Sequence, residues 1–447
     1  MTENAGDRAS PSRCAGPDMM AAFAIGPGAA GQPGGTGAGG DGGRESPMLG
    51  SSPPGWLLPT TVVGSYSVPE WLQRLKTEYY QRRISAAHLA EIHEVAIKAA
   101  VKDQERAGID IVSDGELRRD NDIDYFLARI PGVHIAQRAK SDYYDYYDAA
   151  VTAPLPEDDK QLSPGGTTPR TPRGMSDDSA SRGTPPDPRA SVSDMPGLGL
   201  AGDFEFTRAL TDHAVKFSFT GPFSLSRRIT VADGAYKNPA ELVRALARRL
   251  NTEARALSDA GAQFLQIDEP FLAGYPDQAA LAVEAVNIVT DGVPATWGLH
   301  VCYGNRYARP SWEGHYDFLF PEVLEARVDQ LVLEFARKGL DDLRLIKDYG
   351  WPSALGLGVI DVKSPSVESP ELVAARIRRA LEYIDPGRLV VNPDCGLRHL
   401  APEVARSKLR AMVAGAAIVR TELTTPPSSP SPTSGEHAWK TSGDTNG

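Results

Sequence analysis

The chain has 447 residues, with 47 Lys and Arg against 58 Asp and Glu, for a formal net charge of -11. That balance excludes recognition of nucleic acid or an anionic membrane through a general positive field, and no apolar run approaches the ~18 residues of a membrane span. Three cysteines, Cys14, Cys302 and Cys395, are too few for a disulfide framework, and no charged segment followed by a long apolar one opens the chain, so a cytoplasmic protein with free thiols is expected.

In chain order, residues 1–55 are rich in Gly, Ala, Pro and Ser, with one short apolar patch at 19–25. A Tyr/Asp cluster at 143–148 opens a second tract, from about 140 to 203, dominated by Ser, Pro, Thr, Gly and Asp; residues 421–447 return to Pro, Ser and Thr. Such segments bury too little apolar surface to offset chain entropy, so disordered tails at 1–55 and 421–447 and a disordered insertion are expected around one domain spanning 56–420.

Within that domain, short β-branched runs alternate with charged, helix-periodic stretches. The runs predict strands over 58–66, 109–116, 214–224, 263–270, 295–304, 330–336, 354–362 and 388–396. Helices are predicted over 86–107, 239–260, 278–290, 370–384 and 402–413. Pro239, Pro370 and Pro402 stand at helix starts, where a missing N–H costs nothing, behind Asn238, Ser369 and Ala401. Eight β/α units predict a (β/α)8 TIM barrel. A doubly wound open sheet would alternate in the same way, but no G-x-G-x-x-G follows the first strand.

The polar residues that interrupt these strands fall at their C-terminal ends: Ser65, Asp114, Glu116, Asp268, Glu269, His300, Cys302, Glu334, Asp361, Lys363, Asp394 and Cys395. In a barrel those ends share one rim, where active sites assemble. Residues i and i+2 of a strand point the same way, so His300 and Cys302 can share an ion. Glu334 ends the next strand and Cys395 the eighth, and a His/Cys/Glu/Cys set suits tetrahedral zinc. The competing reading is a buried cysteine pair beside a satisfied histidine.

The donor types also indicate what such an ion would do. Two thiolates and a carboxylate overcompensate Zn²⁺, a poor arrangement for activating water and a good one for holding an added thiol. A free thiol of pKa ~8.5 is only about 3% ionised at pH 7, a penalty near 2 kcal/mol, and coordination removes it. Glu334, the hardest donor of the four, is the one expected to loosen when the thiol arrives.

Thr61-Val62-Val63-Gly64-Ser65, Asp114-Gly115-Glu116, Gln266-Ile267-Asp268-Glu269-Pro270, His300-Val301-Cys302-Tyr303, Glu334 and Asn392-Pro393-Asp394-Cys395-Gly396 together resemble the catalytic barrel of cobalamin-independent methionine synthases, in its short, single-barrel form. The resemblance implies zinc held by His300, Cys302, Glu334 and Cys395, and transfer of a methyl group to homocysteine. It implies that Asp268 and Glu116 hold the substrate ammonium and that Ser65, with neighbouring backbone, holds its carboxylate, as charge-assisted hydrogen bonding would favour. Lys363, with Asp361, stands where the family carries a proton-shuttling histidine; it either assists the departing methyl donor or pairs with Asp361 or Glu116. Methylated folate and methylcobalamin are the two donors considered. Alkyl transfer to another thiol, as in epoxide–thiol transferases, and a non-catalytic zinc- or thiol-binding barrel are the alternative readings; a zinc hydrolase is disfavoured by the thiolate-rich set.

Overall fold

The computed structural model describes residues 56–119, 123–127, 129, 197–229, 236–305 and 308–425. The expected tail at 1–55, the tyrosine cluster at 143–148, Cys14 and most of the expected insertion and C-terminal tail lie outside the described residues.

Seven strands form one parallel sheet in chain order: β1 (Ile111–Val112), β2 (Ala214–Thr220), β3 (Phe264–Asp268), β4 (Thr296–Val301), β5 (Gln330–Leu333), β6 (Ala354–Ile360) and β7 (Leu389–Pro393). Parallel neighbours require crossovers. Helices Pro239–Asp259, Ala279–Thr290, Leu343–Asp348 and Pro370–Ala380 supply four of them, and two short 3₁₀ turns, Tyr316–Leu319 and Glu322–Glu325, lie between β4 and β5. Asn238 and Ser369 cap their helices by accepting the N–H groups of Glu241 (3.0 Å) and Leu372 (3.2 Å), with proline at the first helical position; Ala401 makes no such bond.

Along β2, buried Val215, Phe217 and Phe219 alternate with Lys216, Ser218 and Thr220. The apolar set joins Leu265, Ile267, Leu299 and Val301 in one core with Leu246, Leu250 and Val286 of the flanking helices. Burying each large apolar side chain contributes roughly 1.5–3 kcal/mol. The polar set faces an interior that curls around itself. A Cβ on Gly356 of β6 would stand 2.9 Å from Gln330 Nε2 on β5 and 2.7 Å from Asn392 Oδ1 on β7, so side chains of the two neighbouring strands fill the space over this glycine.

The expected first strand, 58–66, is reduced to single bridges: Thr60 pairs with Val391 of β7, and Thr61 with Ile111 of β1. Side chains take the places of ladder groups. Asp110 Oδ2 accepts both the N–H and the hydroxyl of Thr60 (2.7 and 2.8 Å), and Thr61 Oγ1 donates to the Ile111 carbonyl (2.9 Å). Thr61 N–H to the Val391 carbonyl (2.9 Å) and Ile111 N–H to the Thr60 carbonyl (3.1 Å) still tie the stretch to both edges of the sheet. The second expected strand shrinks for a similar reason: the Gln104 amide captures both the N–H (2.9 Å) and the carbonyl (3.0 Å) of Ser113.

Two expected boundaries also move. Helix Leu200–Arg208 begins inside the tract read as insertion, because Leu200 and Phe204 bury their side chains and Asp203 pairs with Arg118 (3.2 Å) and accepts from the Tyr125 hydroxyl. The last helix, Pro402–Thr424, passes both its expected end at 413 and the expected start of the tail at 421. Its buried Gly415, Ala416 and Val419 continue the packing against helix Pro370–Ala380, where a Cβ on Gly415 would stand 2.5 Å from Val373. Among the described residues, no helix is long and apolar enough to cross a membrane.

The strands end earlier than the alternation suggested. Asp268 and His300 are still within β3 and β4, whereas Cys302, Glu334, Asp361, Lys363, Asp394 and Cys395 lie one to three residues beyond their strands, on the connecting loops of one rim.

Candidate metal centre

His300 is placed by β4 and oriented by β5. Its Nδ1 lies 3.1 Å from the Val332 carbonyl, which can only accept, so Nδ1 carries the proton and Nε2 presents its lone pair. Nε2 is buried and has no hydrogen-bond partner by ordinary geometry. A donor atom of His300 and the sulfurs of Cys302 and Cys395 lie within 4.8 Å of one another, and among the described residues this is the one such group. Hydrogen bonding to Cys302, burial and the charge of Cys302 together hold the Cys395 thiol well above its ordinary value. Burial disfavours charge on His300, but Cys395, Asp268 and Glu334 outweigh it and raise the imidazole. Two thiols and an imidazole packed this tightly present soft donors to one point, and a thiophilic divalent cation fits the donor set.

Glu334 stands beside this group and is not a member of it. Its Oε1 accepts the Tyr303 N–H (3.0 Å), and its Oε2 pairs with Lys363 Nζ at 2.8 Å, both side chains being buried. The Tyr316 hydroxyl accepts the Glu334 N–H (3.0 Å) and donates to the Val301 carbonyl (2.9 Å), stitching the ends of β4 and β5 together. Burial would lower Lys363, but Glu334, Cys395 and Cys302 reverse the effect and keep it protonated. Of the two readings of Lys363, the one that paired it with Asp361 or Glu116 is corrected: its ammonium goes to Glu334. Asp361 Oδ1 accepts the backbone N–H of Lys363 (2.8 Å).

The three residues expected to hold an amino acid have different surroundings. Asp268, at the end of β3, accepts from Gln266 Nε2 (2.7 Å), and burial pushes its carboxyl up to about 7 against the pull of His300. Glu116 is buried, accepts from Ser218 Oγ (2.7 Å) and pairs with Arg119 (3.0 Å), with Arg398 at 3.9 Å. A Cβ on Gly64 would fall 2.3 Å from Glu116 Oε1, so a side chain there would displace the Glu116 carboxylate. Ser65 is partly exposed; its carbonyl accepts the Leu397 N–H (2.8 Å), and its hydroxyl lies where a side chain on Gly396, the residue after Cys395, would stand.

Sequence reasoning missed Lys216. Buried in the interior face of β2, it donates to Gln266 Oε1 (2.7 Å), whose amide also donates to the Val63 carbonyl (2.8 Å) and to Asp268. Burial drops this lysine to about 8, although Asp268 and Glu116 pull it upward. The signal was available: a lysine flanked by Val215 and Phe217 in a strand must point to the side opposite theirs. Arg119, partner of Glu116, and Asp394, which accepts the N–H groups of Phe335, Ala336 and Arg337 at 2.8–2.9 Å, were also given no role in advance.

The sequence matches the family described as Cobalamin-independent synthase, Catalytic domain, over residues 58–179 and 201–418. It is 34% identical over 371 residues to a protein named Methionine synthase from Saccharolobus islandicus, covering 82% of this chain and 96% of that one. It is 33% identical over 368 residues to the Methionine synthase of Thermococcus kodakarensis, covering 82% and 95%. Among solved structures, the fold is similar to a B12-independent methionine synthase from a Shewanella species in complex with selenomethionine, with a TM-score of 0.63, 24% identity, and coverage of 82% of this chain and 99% of that one.

Proposed function

The chain belongs to the family of cobalamin-independent synthase catalytic domains, and from that premise we propose that it transfers a methyl group to the sulfur of homocysteine, giving methionine, at the His300–Cys302–Cys395 cluster. The observation that carries this reading is the buried His300 Nε2, without a conventional partner, in the one tight group of metal-donor atoms among the described residues. We read the cation that suits this set as zinc, with Glu334 as the fourth donor. When bound, such a cation supplies a thiol held as thiolate at neutral pH.

The protein's own residues orient the reaction. Asp268 receives the substrate ammonium, and the Lys216–Gln266 pair behind it fixes the direction of its carboxylate. Glu116, already balanced by Arg119, adds negative potential to the same corner. Ser65 and the N–H groups of the strand ends take the substrate carboxylate. Held at both ends, the sulfur attacks the donor's methyl carbon in line; the new S–C bond forms as the donor keeps the electron pair of the bond it loses. Lys363 is the cation that faces this event, with Asp361 holding its backbone. The stretch around Thr60 and Thr61 serves as the first strand of a (β/α)8 barrel. Free thiols at the site suit a cytoplasmic setting.

The test is metal analysis of the purified chain, followed by incubation with homocysteine and either a methylated folate or methylcobalamin. One zinc per chain and methionine from one of the two donors is the expected result, and the productive arm identifies the donor. Zinc-loaded protein that forms no methionine with either donor overturns the assignment.

A further inference from the structure

We propose that Lys363 is a positioning residue that competes with the cation of the His300–Cys302–Cys395 cluster for the Glu334 carboxylate, and receives that carboxylate when a substrate thiol joins the cluster. The inference rests on the reading of the cluster as a thiophilic metal site.

Both oxygens of Glu334 have partners within the protein: the Tyr303 N–H at 3.0 Å and Lys363 Nζ at 2.8 Å. The ion pair is buried, with side-chain exposures of 4% for Lys363 and 0% for Glu334, so solvent screens it little. Two thiolates and a carboxylate exceed the charge of a divalent cation by one, and Lys363 balances the excess. A substrate thiol that leaves its proton to solvent brings one more negative charge into the same space. Releasing an oxygen donor from a sulfur-rich set relieves that excess, and Lys363 is already within bonding distance of the released group.

Lys363 stands on a braced arm. Its N–H donates to Asp361 Oδ1, the Asp361 N–H donates to Glu368 Oε1, and Glu368 Oε2 pairs with Lys408 Nζ, each at 2.8 Å. Lys408 is fully buried and also donates to the Ser366 carbonyl. Arg376 donates to the carbonyls of Val359 (2.8 Å) and Ala336 (3.1 Å), tying β6 to the loop after β5. These bonds fix the backbone that carries Lys363, so its ammonium stays within reach of the Glu334 carboxylate.

Cobalt(II), used as the spectroscopic probe in the full chain, tests this through chelator competition and homocysteine titration. Lys363→Met should bind cobalt about tenfold more tightly than the native chain and, once loaded, bind homocysteine about tenfold more weakly, with Lys363→Arg returning both towards native values. Weaker cobalt binding in Lys363→Met overturns the competition, because it makes Lys363 a group that orients Glu334 for the metal; unchanged affinities overturn it as well. Should the unpaired carboxylate prevent Lys363→Met from folding, Lys363→Met/Glu334→Gln is compared with Glu334→Gln alone. The two should bind cobalt and homocysteine alike within about twofold, and a larger difference overturns the proposal. A native chain that binds neither zinc nor cobalt overturns the metal reading beneath it, a failure distinct from any confined to the variants.

Discussion

Asp394 accepts the backbone N–H of Phe335 at 2.9 Å, so the residue before one thiol of the cluster clamps the residue after Glu334. The same carboxylate takes the N–H groups of Ala336 (2.8 Å) and Arg337 (2.9 Å), holding the loops after β5 and β7 in one arrangement. In Asp394→Asn, one oxygen can keep Phe335 and Ala336, but the amide NH₂ then faces the Arg337 N–H, donor against donor. The expected loss is about 1–3 kcal/mol of stability, read by urea unfolding; an unchanged midpoint would remove Asp394 from its clamping role.

Cys395→Ala should abolish stoichiometric zinc binding while far-UV circular dichroism stays native. The sulfur is one of three clustered donors, and Cys395 lies on the loop beyond β7, only partly buried against the apolar core, so the helices and strands do not depend on it. Full zinc occupancy in the variant would contradict the ligand assignment.

Asp268→Asn should retain the metal and bind homocysteine more weakly. Loss of a charge-assisted hydrogen bond costs about 1.5–3 kcal/mol, or roughly 10- to 150-fold in affinity. Calorimetric titration with homocysteine measures it, and equal affinities would return Asp268 to a purely structural role.

Lys216 yields a pH prediction with a definite sign. Burial lowers it from 10.5 to about 8, so between those values the unfolded chain binds the proton that the folded chain has released. Stability contributed by this residue therefore rises with pH across the window from about 8 to 10.5. In Lys216→Met the rise should vanish, so the native chain gains on the variant between pH 8 and pH 10 in urea melts. A constant difference across that range would show that the lysine is not perturbed.

Much of the site was legible in the sequence because the relevant rule is local. Alternation along a strand puts His300 and Cys302 on one side, and the convergence of parallel strand ends brings in Cys395 from 93 positions away without any knowledge of distances. The helices could be read from periodicity and prolines: 86–107 falls where the periodicity puts it, and the starts at 239, 370 and 402 where the prolines do.

Residue types and their order thus determined the parallel α/β architecture, the shared rim and the thiol–imidazole cluster. Tertiary structure alone decided that Lys363 pairs with Glu334, that Arg119 balances Glu116 and that Lys216 reaches Gln266, because the energy of an ion pair or buried hydrogen bond depends on ångström-scale separation and burial. It also decided that the stretch at Thr60 and Thr61 makes bridges instead of a full strand, since an aspartate 50 residues away competes there for the same backbone groups, and no local pattern records which acceptor lies nearer.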